Sequence, residues 1–113
     1  MNTNKLFLED LKYMVENRLP LNEYATEQIQ KKFDKDESLI AELYQLFVRS
    51  RHLLPLINDI EAVVYDYIVS EEMTKKKTFY GATLFVSELF DTTQTYVKCK
   101  VIQCRNLDLQ KTS

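Results

Sequence analysis

From position 39 to position 67, Leu39, Leu43, Leu46, Leu53, Ile57, Ile60, Val64 and Tyr67 recur at steps of three and four, with Ser50 in the same phase. That spacing puts one apolar face on an α-helix and suits neither a half-buried strand nor a loop. A second run, Phe79, Ala82, Val86, Phe90, Thr93, Val97, Val101 and Cys104, repeats the pattern after a basic interruption at Lys75-Lys76-Lys77. Two matched faces predict an antiparallel pair of long helices, about 37–73 and 79–106. At 1.5 Å per residue, helices near 30 residues long are roughly 45 Å in length.

The scarcity of turn residues points the same way. The chain has one Gly and two Pro in 113 residues, whereas β-sandwich and βαβ folds of this size normally need several Gly- or Asn-Gly-based turns. Phosphate cradles of the G-x-G-x-x-G or G-x-x-x-x-G-K-[ST] kind cannot be built around Gly81 alone. The one strand-like stretch, Thr95 to Val101, alternates polar and apolar residues and is rich in β-branched side chains. A lone strand needs a partner, and the only candidate, Phe79 to Phe90, has the better helical pattern.

Upstream, Thr3 or Asn4 is placed to cap a helix running to about Arg18, with Phe7, Leu8, Leu11, Met14 and Val15 on one face. Leu19-Pro20 stops it. Asn22 then caps a short helix carrying Ala25, Ile29 and Phe33. A break is expected across Asp34-Lys35-Asp36-Glu37, where Asp34 and Glu37 have capping-box spacing. Pro55 falls inside the long stripe, but the apolar phase continues through it. The expectation is therefore one helix kinked near Pro55; if it is two, Pro55 takes the first position of the second. Residues 108–113 are expected to fray. The predicted fold is a single all-α domain, 1–113: an antiparallel bundle built on a long hairpin, with coiled-coil-like packing and two shorter N-terminal helices.

Charge is divided unevenly. Residues 1–74 carry 14 acidic and 8 basic side chains, net −6, and residues 75–113 carry 3 acidic and 7 basic, net +4. Either the two segments pack against each other or the basic end docks on a partner, and internal pairing is the favoured reading. No signal peptide and no apolar run of membrane-spanning length is visible, so a cytoplasmic protein with reduced Cys99 and Cys104 is expected.

The residues offer little chemistry. His52 is the only histidine, and Arg49 stands where a di-iron Glu-x-x-His motif needs Glu. On a helix, Cys99 and Cys104 lie about 140° apart, too far round to share a metal. Asp34-Lys35-Asp36 opens like a calcium loop, but Leu39 and Gln45 stand where Gly and Glu are required. No catalytic, cofactor-binding or metal-binding residue is assigned, and no cofactor.

What remains is a set of aromatics off the main stripes, Tyr44, Tyr65, Tyr80, Phe85 and Tyr96, together with the basic Lys98, Lys100 and Arg105. Aromatics and cations of this kind are typical interface anchors. The expected function is a non-enzymatic helical protein–protein interaction module, a small regulator or inhibitor of a partner protein, itself a homodimer. The second reading is a nucleic-acid-binding regulator using the basic last helix, and pI ≈ 5.4 weighs against it. Eleven Lys against four Arg suit an AT-rich bacterial or phage source.

Overall fold

The computed structural model describes the backbone of residues 3–112 and the side chains of residues 3–106. Among the described residues all regular structure is helical: α1 (Thr3–Glu16), α2 (Glu23–Phe33), α3 (Glu37–Arg49), a 3-10 segment (Arg51–Leu56), α4 (Ile60–Thr74), α5 (Phe79–Leu89) and α6 (Gln94–Thr112). The all-α bundle class is as expected, and Thr95 to Val101 is helix, not strand. The chain divides into two compact units, residues 1–58 and 59–113.

In the first unit, α1 packs on α2, α3 and the 3-10 segment. The face foreseen for α1 supplies its core, with Phe7, Leu8, Leu11 and Val15 fully buried beside Ile29, Phe33, Leu39, Ile40, Leu43, Phe47 and Leu54. The Phe7 and Phe33 rings meet at 5.6 Å. Asn22 caps α2 as expected, its Oδ1 accepting from the Ala25 N–H at 2.8 Å. Asn4 is not a cap: it lies inside α1 and accepts from Lys35 Nζ at 2.6 Å. The break after α2 is present, but Asp34 ends α2 in the left-handed region and Asp36 precedes α3.

The helix expected over 37–73 is divided. α3 stops at Arg49, the 3-10 segment carries Pro55, and α4 restarts at Ile60. Pro55 has no N–H to donate and would clash with the Arg51 carbonyl in a continuous α-helix. The restart has a local cause in Asp59, whose Oδ1 accepts from the Ala62 N–H at 3.2 Å. The stripe accordingly loses burial beyond Leu43 and Phe47: Leu53 and Tyr67 are exposed, whereas Ile60 and Val64 are buried in the second unit.

The helix expected over 79–106 is divided as well, into α5 and α6, and α6 continues past 106 to Thr112, where fraying was expected. The stop after α5 is a Schellman motif without glycine. Asp91 adopts φ 52°, the Thr92 N–H donates to the Ser87 carbonyl at 2.9 Å, and the Asp91 N–H donates to Glu88. Thr93, expected on the apolar face, instead caps α6, accepting from the Tyr96 N–H. The same motif ends α1 at Arg18 and α4 at Lys76, with φ of 56° and 69°. The chain thus turns repeatedly with its single glycine elsewhere.

In the second unit α4, α5 and α6 pack pairwise around Val64, Tyr65, Val69, Ala82, Val86, Phe90, Val97 and Val101. Short connections make sequential neighbours antiparallel. Asp59 pairs with Lys100 and Asp66 with Arg105, partners that advance together along both helices, so α4 and α6 run parallel. The antiparallel hairpin expected of 37–73 and 79–106 is replaced by this up-down-up arrangement, because the turn at 90–93 reverses the chain once more.

Candidate interaction surface

Three of the residues singled out as contacts belong to a buried polar cluster between α4 and α6. Glu61 is only 1% exposed. It accepts from Tyr96 Oη at 2.8 Å on one carboxylate oxygen and from Tyr65 Oη at 3.1 Å on the other. The Tyr65 ring is fully buried, edge-on to Phe90 at 5.0 Å and to Tyr96 at 6.4 Å. Lys100 Nζ donates to Asp59 Oδ2 at 2.7 Å, and that hydrogen bond raises the lysine above its ordinary range against the opposing effect of burial. Every polar end in the cluster meets an opposite one, which is what allows a carboxylate to sit inside a helical core.

The charge division read from the sequence is resolved in this unit. Asp59–Lys100 and Asp66–Arg105, the latter at 2.9 Å, join the acidic α4 to the basic α6. Glu72 joins them at the far end of α4, buried and accepting from Lys77 Nζ at 2.6 Å and Lys75 Nζ at 3.0 Å. The hydrogen bond from Lys77, seconded by Lys75, holds its carboxyl below the usual glutamate value. Tyr65, Tyr96, Lys100 and Arg105 are therefore engaged inside the fold, with Tyr65 wholly removed from any surface. Tyr44, in the first unit, is half-buried and donates to the Leu19 carbonyl at 2.7 Å, closing the loop after α1.

Tyr80 and Phe85 remain exposed, at the two margins of the outer side of α5, and half-buried Lys98 on α6 reaches the Tyr80 ring. Tyr80 is 62% exposed, Leu84 38% and Phe85 36%. Lys98 Nζ lies 5.1 Å from the Tyr80 ring centroid and Lys77 Nζ 4.2 Å from that of Phe85. Ammonium groups on ring faces hold aromatics in place at a surface. Gln94 fixes the register between the two helices, its Nε2 donating to the Tyr80 carbonyl at 3.0 Å and to Thr83 Oγ1 at 3.1 Å.

Leu84 was not foreseen, although its i, i+4 relation to Tyr80 was there to be read. Gly81 lies on the same face and was also passed over. A Cβ placed there would meet nothing nearer than Thr78 Oγ1 at 3.4 Å, and its φ is not positive. Neither packing nor backbone geometry within the chain requires glycine, a residue that costs a helix interior about 1 kcal/mol relative to Ala.

His52 is exposed in the 3-10 segment, Cys99 is exposed, and Cys104 is half-buried with its Sγ 3.9 Å from Asp66 Oδ2. Among the described residues no helix is long and apolar enough to cross a membrane. Comparison with protein families, with curated proteins and with solved structures returned no match.

Proposed function

We propose that this chain is a non-enzymatic helical interaction module, a small regulator that acts by presenting the α5 face to a protein partner. The observation that carries this reading is the exposure of Tyr80, Leu84 and Phe85 along α5, with a lysine ammonium group over each of the two aromatic rings. Preorganised aromatics lose little entropy on docking, and such residues dominate binding energy in known interfaces. The flanking lysines favour a partner segment with acidic side chains beside its apolar ones.

The nucleic-acid reading is weakened by the same geometry. Two of the basic residues of the last helix, Lys100 and Arg105, are paired with α4 carboxylates. The α2–turn–α3 segment has the short connection of a helix-turn-helix, but α3 presents exposed Glu37 and Glu42 where phosphates would approach.

The test is affinity capture with the immobilised full chain from lysate of its source cell, alongside a Tyr80→Ser/Phe85→Ser variant. A partner retained by the wild type and lost by the variant, with melting temperature unchanged, is the expected result. Equal retention by both proteins, or tight DNA binding that falls steeply with added salt, would overturn the proposal.

A further inference from the structure

A shift of 57 positions carries the helices of the first unit to those of the second. Thr3, which opens α1, goes to Ile60, which opens α4; Glu37, which opens α3, goes to Gln94, which opens α6. Between them, Ala25, Thr26, Ile29, Phe33 and Asp34 go to Ala82, Thr83, Val86, Phe90 and Asp91, so that four residues are identical and the fifth exchanges Ile for Val.

The matched residues also have matched structural roles. Thr26 Oγ1 donates to the Asn22 carbonyl and Thr83 Oγ1 to the Phe79 carbonyl, both at 2.9 Å and both one helical turn back. Phe33 and Phe90 are buried, each against an aromatic ring of its unit's first helix, Phe7 at 5.6 Å and Tyr65 at 5.0 Å. Asp34 and Asp91 both adopt the left-handed region, with φ of 54° and 52°, a conformation that residues with a Cβ seldom take and that Asp tolerates best after Asn. The buried polar residues Asn4 and Glu61 occupy equivalent positions on the first helix. Each accepts a hydrogen bond from the third helix or its approach, Asn4 from Lys35 Nζ and Glu61 from Tyr96 Oη.

The course of the chain repeats as well. Lys35, just before α3, meets Asn4 near the start of α1, and Arg51, just after α3, donates from Nε to the Val15 carbonyl near the end of α1 at 3.2 Å. α1 and α3 are therefore parallel, as α4 and α6 are. We infer that the chain is a tandem pair of one self-sufficient three-helix unit. A shared amphipathic pattern would align apolar residues alone; it would not place a left-handed aspartate, a back-bonded threonine and a buried polar side chain at the same three positions. Each unit buries its own aromatic core and has the size at which small domains fold alone, so neither relies on its neighbour to cover an apolar face as stacked repeats do.

The two units part company on the outer side of the middle helix. Glu23, Glu27 and Gln28 of α2 correspond to Tyr80, Leu84 and Phe85 of α5, and all six are exposed. Polar residues satisfy the fold at those positions in the first unit. The apolar side chains of α5 are thus an addition peculiar to the second unit, which its helices do not need in order to pack.

Amide hydrogen exchange of the full chain, read by mass spectrometry of peptides from each unit, tests the pair. Phe33→Leu and Phe90→Leu make the same change at equivalent positions. Each should lower the protection of the slowest amides of its own unit by roughly tenfold and leave those of the other unit unchanged. Protection lost across both units from either substitution, or a loss from only one of the two variants or from neither, refutes the inference. A third variant, Tyr80→Glu/Leu84→Glu/Phe85→Gln, gives α5 the outer residues of α2. The slowest amides of α4 and α6 should then stay within about tenfold of wild type, and a greater loss refutes the equivalence of the two middle helices. These outcomes do not depend on whether the α5 face binds a partner, so the interaction-module reading stands or falls separately by the capture experiment.

Discussion

Tyr96→Phe isolates the tie between α4 and α6, because it deletes one hydroxyl and leaves the ring in place. The lost hydrogen bond is 2.8 Å long and ends on a carboxylate that is 1% exposed. Bonds to charged groups contribute about 1.5–3 kcal/mol, and the upper part of that range applies where water cannot substitute. In thermal terms, at roughly 4–8 °C per kcal/mol, a loss of about 2–3 kcal/mol should lower the melting temperature by about 8–24 °C. Tyr65→Phe removes the longer 3.1 Å bond to the other carboxylate oxygen and should cost less, about 1–2 kcal/mol.

The two tyrosines share one acceptor, so the double variant should depart from additivity by more than about 0.5 kcal/mol. Converting Glu61 to Leu in that double variant removes the stranded carboxylate. It should recover most of the loss, since exchanging both partners for apolar groups is close to neutral. Urea unfolding followed by far-UV circular dichroism measures all four proteins. A cost below about 0.5 kcal/mol for Tyr96→Phe, or a triple variant no more stable than the double, would refute the claim that this cluster holds the second unit together.

Asp91→Gly should stabilise the protein by about 0.5–1 kcal/mol, because Asp91 occupies a left-handed position that penalises residues with a Cβ; an unmoved urea midpoint would contradict the role assigned to that turn. Glu72 has its pKa lowered in the folded state, so its contribution is complete above the ordinary carboxylate value and is lost as pH falls through the depressed one. Glu72→Gln should therefore narrow the stability difference from wild type steadily on acidification, as read from urea midpoints across a pH series. Ile60→Asp places an unpaired carboxylate at a buried position and should cost about 3 kcal/mol or more, whereas Leu56→Asp, at a site 73% exposed, should stay within about 0.5 kcal/mol by the same assay.

The apolar spacing carried most of the class-level information. The faces of α1 and α2, the Asn22 cap, and the burial of Leu39, Leu43, Ile60, Val64, Val86, Phe90, Val97 and Val101 all follow from steps of three and four, since a helix cannot otherwise shield such residues. Helix ends were less legible. Periodicity that survives a turn looks like periodicity without one, and Arg18 and Lys76 are not residues that ordinarily announce a left-handed stop. The signals that were present, Asn58-Asp59 before α4 and Thr93 before α6, were outweighed by the continuing phase. The contact set was divided for a related reason: Tyr65 and Tyr96 differ from Tyr80 only in whether a carboxylate on a neighbouring helix meets the hydroxyl, and composition does not record that.

The order of residues was enough to require helices and to nominate their inward faces, because burial periodicity is a local property of the backbone. The up-down-up course of α4, α5 and α6, the parallel pairing that closes Asp59 on Lys100 and Asp66 on Arg105, and the choice of which aromatics face water depend on where distant segments meet. Those were set by three-dimensional packing. Left-handed turns cost only about 1–2 kcal/mol at each residue with a Cβ, a small term beside the apolar burial that the reversed chain makes possible.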